Sequence, residues 1–367
     1  MSFGLKAFKR QRDDAKTKAE RRHISQVILG ADLSAVLTLM RLKKSAGPEQ
    51  LRLITPRLLS KASLAASYAA GPSLYRDPAE VLSLGHDFPH LKSLSYSAEA
   101  VFAKEGQWHR FGSRAKPMEL LAGEKFFLPP RQEVELASFF DPADWEQLDD
   151  VLNAYQHVRV LEKLEKQTPT DLANRDEWWM LFHDLGEVTC SELWCSLPSR
   201  QVLKASGQGQ TLPPEAGAWF NSIKRQAAIA LAWECQREIY PEPATLFVPQ
   251  SMTHEWGHFI VDVAPWEEAS NAHPVRALIL LHAEEPTSEE MADKIKLLKR
   301  VFERVFPGFE ANAQNERILA SEDYFEWPAE PRLADALLVA VPSLHVIGQL
   351  APQGSQHFLV RALNSVR

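Results

Sequence analysis

The apolar positions at the start of the chain change period twice. A continuous run from Ile24 to Leu29 reads as a buried strand ending at Gly30, and Leu33, Val36, Leu37 and Met40 then recur at helical spacing. A Gly47-Pro48 turn follows and leads to a second strand, Leu51 to Ile54. This predicts a strand, helix, strand unit with parallel strands. Farther on, residues 221–236, 244–250, 258–265 and 275–285 are rich in β-branched and small apolar residues and read as successive strands of an antiparallel sheet. Thr287 and Glu290 have the spacing of a capping box opening an amphipathic helix with Ile295, Leu298, Phe302 and Val305 on its apolar side. Residues 142–167 are expected to be helical. Residues 177–186, with Trp178, Trp179 and Phe182, are expected to be an aromatic helix end or core segment, and His183-Asp184 a surface turn.

Composition narrows the function classes. The chain has 367 residues, 45% hydrophobic and 24% charged, with a formal net charge of -7, which excludes disorder and bulk nucleic-acid binding. No apolar run reaches the roughly eighteen residues a membrane span needs, and no apolar core follows the N-terminal basic residues, so a cytoplasmic protein without a membrane span is expected. Cys190, Cys195 and Cys235 do not have the spacing of a zinc knuckle or redox pair and are expected to be buried thiols. Residues 1–22 are a basic tail.

His254, Glu255 and His258 spell H-E-x-x-H, which binds zinc only on a helix, where residues four apart share a face. The flanks are strand-like, and on a strand the two histidines would stand about 13 Å apart. No metal is therefore expected.

The turn after the first strand has the placement of a dinucleotide fingerprint, G-x-G-x-x-G. Gly30 is the turn glycine, Ala35 suits close helix packing, and Ala31 and Ser34 lie between. Asp32 stands where the middle glycine lets the backbone approach a pyrophosphate, although an acid there also suits a helix N-terminus. Thr55, followed by Pro56 and Arg57, replaces the acid that would hold a ribose at the end of the second strand.

Gly186 to Ser206, in which Glu192 to Pro198 form a strand running into a proline and then a helix with Val202 and Leu203, resembles the returning segment of flavin-dependent amine oxidases, including their protoporphyrinogen-oxidase and phytoene-desaturase relatives. Residues 343–367 resemble that family's C-terminal signature: Gly348 matches, Gln349 stands in place of the usual aspartate, Gly354 lies in the loop, and Phe358, Leu359, Ala362 and Leu363 supply a helix face. The resemblance implies an α/β fold: a discontinuous Rossmann-like domain from residues 23–90, 186–206 and 335–367, with an antiparallel substrate-type domain and helices from 91–185 and 207–334. It implies FAD as cofactor, held by Gly30, Ala31, Asp32, Ser34, Ala35, Thr55, Arg57, Gly348, Gln349 and Gly354.

Two readings of function follow. In one the protein is an FAD-dependent oxidoreductase acting on an amine or polyene. In the other it is a non-catalytic descendant, or one with an altered ligand, serving a protein partner or a small molecule. The joint departures at Asp32, Thr55 and Gln349 favour the second.

Overall fold

A computed structural model describes residues 22–69, 85–86, 88–96, 99–104, 107–110, 131–167, 178–183, 186–248, 259–268, 271–281, 287–330 and 332–351. The H-E-x-x-H residues, Gly354 and the C-terminal helix expected from the sequence lie outside them.

The expected strand, helix, strand unit is the centre of a five-stranded parallel sheet. Its strands run in the order Leu344–Val346, Glu192–Cys195, Gln26–Leu29, Leu51–Thr55, Gln156–Val158. Parallel strands covered on both faces are built mainly of apolar residues, and Val27, Ile28, Leu29, Leu51 and Leu53 are at most 1% exposed. The helix Leu33–Leu42 crosses between the two central strands with every residue from Leu33 to Met40 buried.

The expected antiparallel strands assemble into a seven-stranded sheet ordered Ala313–Pro328, Ile223–Cys235, His273–Leu280, Phe259–Val263, Ala244–Val248, Glu99–Lys104, Gln107–Arg110. Ala244–Val248 and Phe259–Val263 pair antiparallel with Val248 opposite Phe259, so strands flank the H-E-x-x-H residues on both sides. In Ile223–Cys235, Ala227, Ile229, Leu231 and Trp233 project to one face, where they meet Leu298, Val301 and Phe302 of the helix Ser288–Val305. The rings of Trp233 and Phe302 lie 5.0 Å apart.

That helix begins with the predicted capping box: the Glu290 amide donates to Thr287 Oγ1 at 3.2 Å and the Thr287 amide donates to Glu290 Oε2 at 2.7 Å. Replacing Thr287 with alanine should lower stability by about 1 kcal/mol, read from the urea midpoint at constant slope.

Two expectations need correction. Trp178–His183 is a strand, not a helix end, paired antiparallel with Leu161–Gln167 and with Gly186–Cys190. Its unbroken aromatic and aliphatic run hides the alternation that marks a strand: Trp179 and Leu181, whose side chains lie in one core, are fully buried, and so nearly is Met180 between them. Residues 142–167 are helical only over Pro142–Glu146 and Leu148–Tyr155, after which the chain forms the strands Gln156–Val158 and Leu161–Gln167. No helix among the described residues is long and apolar enough to cross a membrane.

Candidate functional site

The carboxyl ends of adjacent parallel strands deliver Gly30, Thr55, Ser196 and Gly348 to one edge of the five-stranded sheet, the place where open α/β folds bind ligands. Across from this edge runs the strand Ala313–Pro328. Between them lies a cleft of about 450 Å³, lined on one side by Ala31, Asp32, Ser34 and Arg57 and on the other by Ser321, Asp323, Tyr324 and Glu326. A register shift opposite Gln226 to Ala228 lets residues of both parities, Asp323 with Tyr324 and Glu326, reach the same cleft.

Asp32 is the centre of the first wall. It is the N-cap of Leu33–Leu42, its Oδ1 accepting from the Ala35 amide at 3.0 Å and from Ser196 Oγ at 2.7 Å. The helix N-terminus, which in a dinucleotide site faces a phosphate, is thus occupied by a carboxyl group of the chain itself. Part of Asp32 opens on the cleft, yet burial pushes its carboxyl above the usual carboxylate range, against the opposing pull of Ser196 and of the Ala35 amide.

Close contacts fix this arrangement. A Cβ on Gly30 would lie 1.9 Å from Ser196 Oγ, and one on Gly348 would lie 3.1 Å from Asp32 Oδ2. Gly348 also has φ +81, a left-handed conformation that side chains rarely adopt. Ala35 is fully buried and Ser34 is 1% exposed, beneath the turn.

Thr55 and Arg57 are occupied locally. Thr55 Oγ1 donates to the Arg57 carbonyl at 2.8 Å and accepts from the Arg57 amide at 3.4 Å. Arg57 Nη2 donates to the Ala31 carbonyl and to Ser67 Oγ, each at 3.2 Å. Gln349 binds the opposite wall: its Oε1 accepts from the Glu326 amide at 3.0 Å and its Nε2 donates to the Tyr324 carbonyl at 3.3 Å. Gln349 thereby ties the parallel-sheet edge to the long strand. Of the ten residues singled out from the sequence, Ala31, Asp32, Ser34, Arg57 and Gln349 line the cleft, while Gly30, Ala35, Thr55 and Gly348 shape it from behind.

Sequence reasoning missed Ser196, Asp323, Tyr324 and Glu326. Glu326 is 4% exposed, and its Oε1 accepts from the Ser199 amide at 2.9 Å and from Ser199 Oγ at 2.5 Å. Burial, with Asp323 adding to it, pushes the Glu326 carboxyl up to about 7, against the pull of Ser199 and Arg225. The available signal was a lone acid between two aromatic residues in "YFEWP", which is unusual on a buried strand. The Tyr324 hydroxyl is likewise raised by burial.

The FAD implied by the sequence resemblance can be tested against these residues. A pyrophosphate in the usual place would meet the Asp32 carboxyl, which already takes the hydrogen bonds of Ala35 and Ser196, and neither Thr55 nor Gln349 has an acid to offer a ribose or ribityl chain. The residues present do not fit FAD in that pose.

No protein-family model matches the sequence, and no curated protein matches it by sequence. Solved structures do match it by fold. Cyclohexylamine oxidase from Brevibacterium oxydans IH-35A superposes with a TM-score of 0.58 at 7% identity, over 94% of this chain and 96% of that one. An oxidoreductase from Methanosarcina mazei gives 0.56 at 11% identity, over 94% and 99%. A putrescine oxidase redesigned in its cofactor binding gives 0.56 at 10% identity, over 95% and 98%. Over nearly its whole length, the chain has the amine-oxidase-like fold that its sequence resembles.

Proposed function

We propose that this protein is an amine-oxidase-fold protein whose nucleotide crevice holds a ligand other than FAD, and that it works as a binding or interaction module. The observation that carries this reading is the Asp32 carboxyl at the helix N-terminus, hydrogen-bonded to Ala35 and Ser196. A helix end presents few free amide donors, and here one of them is already spent on a group of the same charge sign as a phosphate.

The visible spectrum of the purified protein tests this, taken as isolated and again after incubation with FAD and desalting. We expect no retained flavin. Replacing Asp32 with glycine, itself an acceptable N-cap, removes both the bulk and the charge and should raise FAD affinity at least tenfold. A wild-type protein that keeps flavin through desalting would overturn the reading.

The second reading is a flavin-dependent oxidoreductase acting on an amine or polyene. It is favoured by the extent of the fold likeness, which includes the seven-stranded sheet as well as the parallel one and reaches 98% of the redesigned putrescine oxidase. The same spectrum decides between them.

A further inference from the structure

The two central strands that end at the crevice also begin at a common place. His23 lies just before the strand Gln26–Leu29 and Ser191 just before Glu192–Cys195, at the amino ends of strands whose carboxyl ends lead to Gly30 and Ser196. Strands of four residues at roughly 3.3 Å each put this edge of the sheet about 13 Å from the crevice edge. Chemistry here is separate from the ligand of the crevice.

Three side chains meet in the order nucleophile, base and support. Ser191 Oγ lies 3.4 Å from His23 Nε2, and His23 Nδ1 lies 3.0 Å from Thr189 Oγ1. The backbone holds all three in place. His23 stands opposite Thr189 in a parallel ladder, the Ile24 amide donates to the Thr189 carbonyl at 2.9 Å, and the Ser191 and Glu192 amides donate to the Ser25 carbonyl at 3.2 and 3.1 Å. Thr189 is 1% exposed, so its hydroxyl is a fixed support. His23 is exposed and Ser191 half-buried, which leaves the serine open to a reagent. A nucleophile and its base commonly stand at the loose end of hydrogen-bond reach before a substrate binds, as these two do.

We infer that Ser191 is a nucleophile with His23 as its general base and Thr189 as a positioning residue, and that it takes an acyl group from an activated donor, a thioester or an aryl ester. With the proton on Nδ1 donated to Thr189 Oγ1, Nε2 keeps the lone pair that receives the Ser191 proton. Ser191 Oγ bonds to the acyl carbon as that proton passes to Nε2. The bond from carbon to the leaving sulfur or aryl oxygen then breaks, and the leaving anion takes the proton from His23. The products are an acyl ester on Ser191 and a free thiol or phenol, with His23 neutral again.

The same backbone frame sets the substrate class. The Ser191 and Glu192 amides, which lie nearest the serine, are committed to the Ser25 carbonyl and do not serve as donors to an oxyanion. Amides and alkyl esters need that stabilisation, whereas a donor with a stable leaving anion needs less. The alkyl ester formed on Ser191 meets the same lack, so water removes it slowly and the site accepts one acyl group instead of turning over.

Incubation of the full-length protein with p-nitrophenyl acetate tests the inference, through the nitrophenolate released and through peptide mass mapping of the acetyl group. We expect a burst approaching one nitrophenolate per chain, with the acetyl group on Ser191 and the burst absent in Ser191→Ala. His23→Gln should slow the burst at least tenfold. Thr189→Val should slow it about threefold, the effect of losing one hydrogen bond, while Thr189→Ser, which keeps the oxygen, should retain the wild-type rate. A role for Thr189 in packing alone predicts the reverse order of those two variants. Acetyl groups on lysines and none on Ser191, or wild-type acetylation of Ser191 in a folded His23→Gln protein, would overturn the inference; if that variant does not fold, an unchanged rate in Thr189→Val would do so.

Discussion

Between pH 4.5 and pH 7 the folded chain should lose on the order of 3 kcal/mol of stability at Glu326 alone. The unfolded side chain ionises at its ordinary value of 4.5, whereas the folded one holds its proton to about 7. Within that window the native state binds the extra proton, so its stability is fully present below the lower value and declines as pH rises through the upper one. The hydrogen bonds from Ser199 favour the ionised form and limit the shift, but they do not reverse the cost of burial. Glutamine keeps the shape and still accepts from Ser199, but it has no proton to lose. Urea unfolding of wild type and Glu326→Gln at pH 5 and pH 8 should therefore show the variant gaining roughly 3 kcal/mol relative to wild type at the higher pH. A difference between the two proteins that is the same at both pH values would show that Glu326 ionises normally.

Replacing Gly30 with alanine should cost about 3 kcal/mol, from overpacking and from displacement of the Ser196 hydroxyl from a partly buried carboxyl. The cause is proximity rather than backbone conformation. The new Cβ would lie 1.9 Å from Ser196 Oγ, 3.2 Å from Ser196 Cβ and 3.3 Å from Ala35 Cβ, so rotating the hydroxyl away relieves only the first contact. Rotation also breaks the 2.7 Å hydrogen bond to Asp32. In a protein that already carries Ser196→Ala, the Gly30 change should cost less by 1–2 kcal/mol, roughly the range of coupling energies for contacting residues. Thermal or urea unfolding of the two single variants and the double variant gives that coupling, and strict additivity would refute the steric account.

The two halves of the fold were unequally legible. The strands Gln26–Leu29 and Leu51–Thr55 and the helix Leu33–Leu42 could be read because doubly covered parallel strands are mainly apolar and the crossing helix must keep its period. The long strand Ala313–Pro328 was not read from the sequence at all. It is an edge strand whose residues 314–318 are all exposed and include Glu316 and Arg317, so polar side chains erase the alternation. The cleft shows the same division. Asp32, Thr55 and Gln349 stood out as departures at expected positions, while Glu326, Asp323 and Ser196 come from remote parts of the chain and acquire meaning only when the two walls meet. The new task of Gln349 was also hidden, because a hydrogen bond to the backbone of another strand leaves no pattern in sequence.

The Asp32 cap has a consequence for how this protein is made. In a protein whose helix end waits for a diffusible anion, stability grows with the logarithm of ligand concentration, and the freshly synthesised chain is least stable when the cofactor is scarce. Here the counter-group is tethered one residue before the helix, so its effective concentration is set by the covalent chain and not by metabolism. The N-terminus of the helix Leu33–Leu42 thus needs no diffusible anion, and its stability should be indifferent to the flavin supply of the cell.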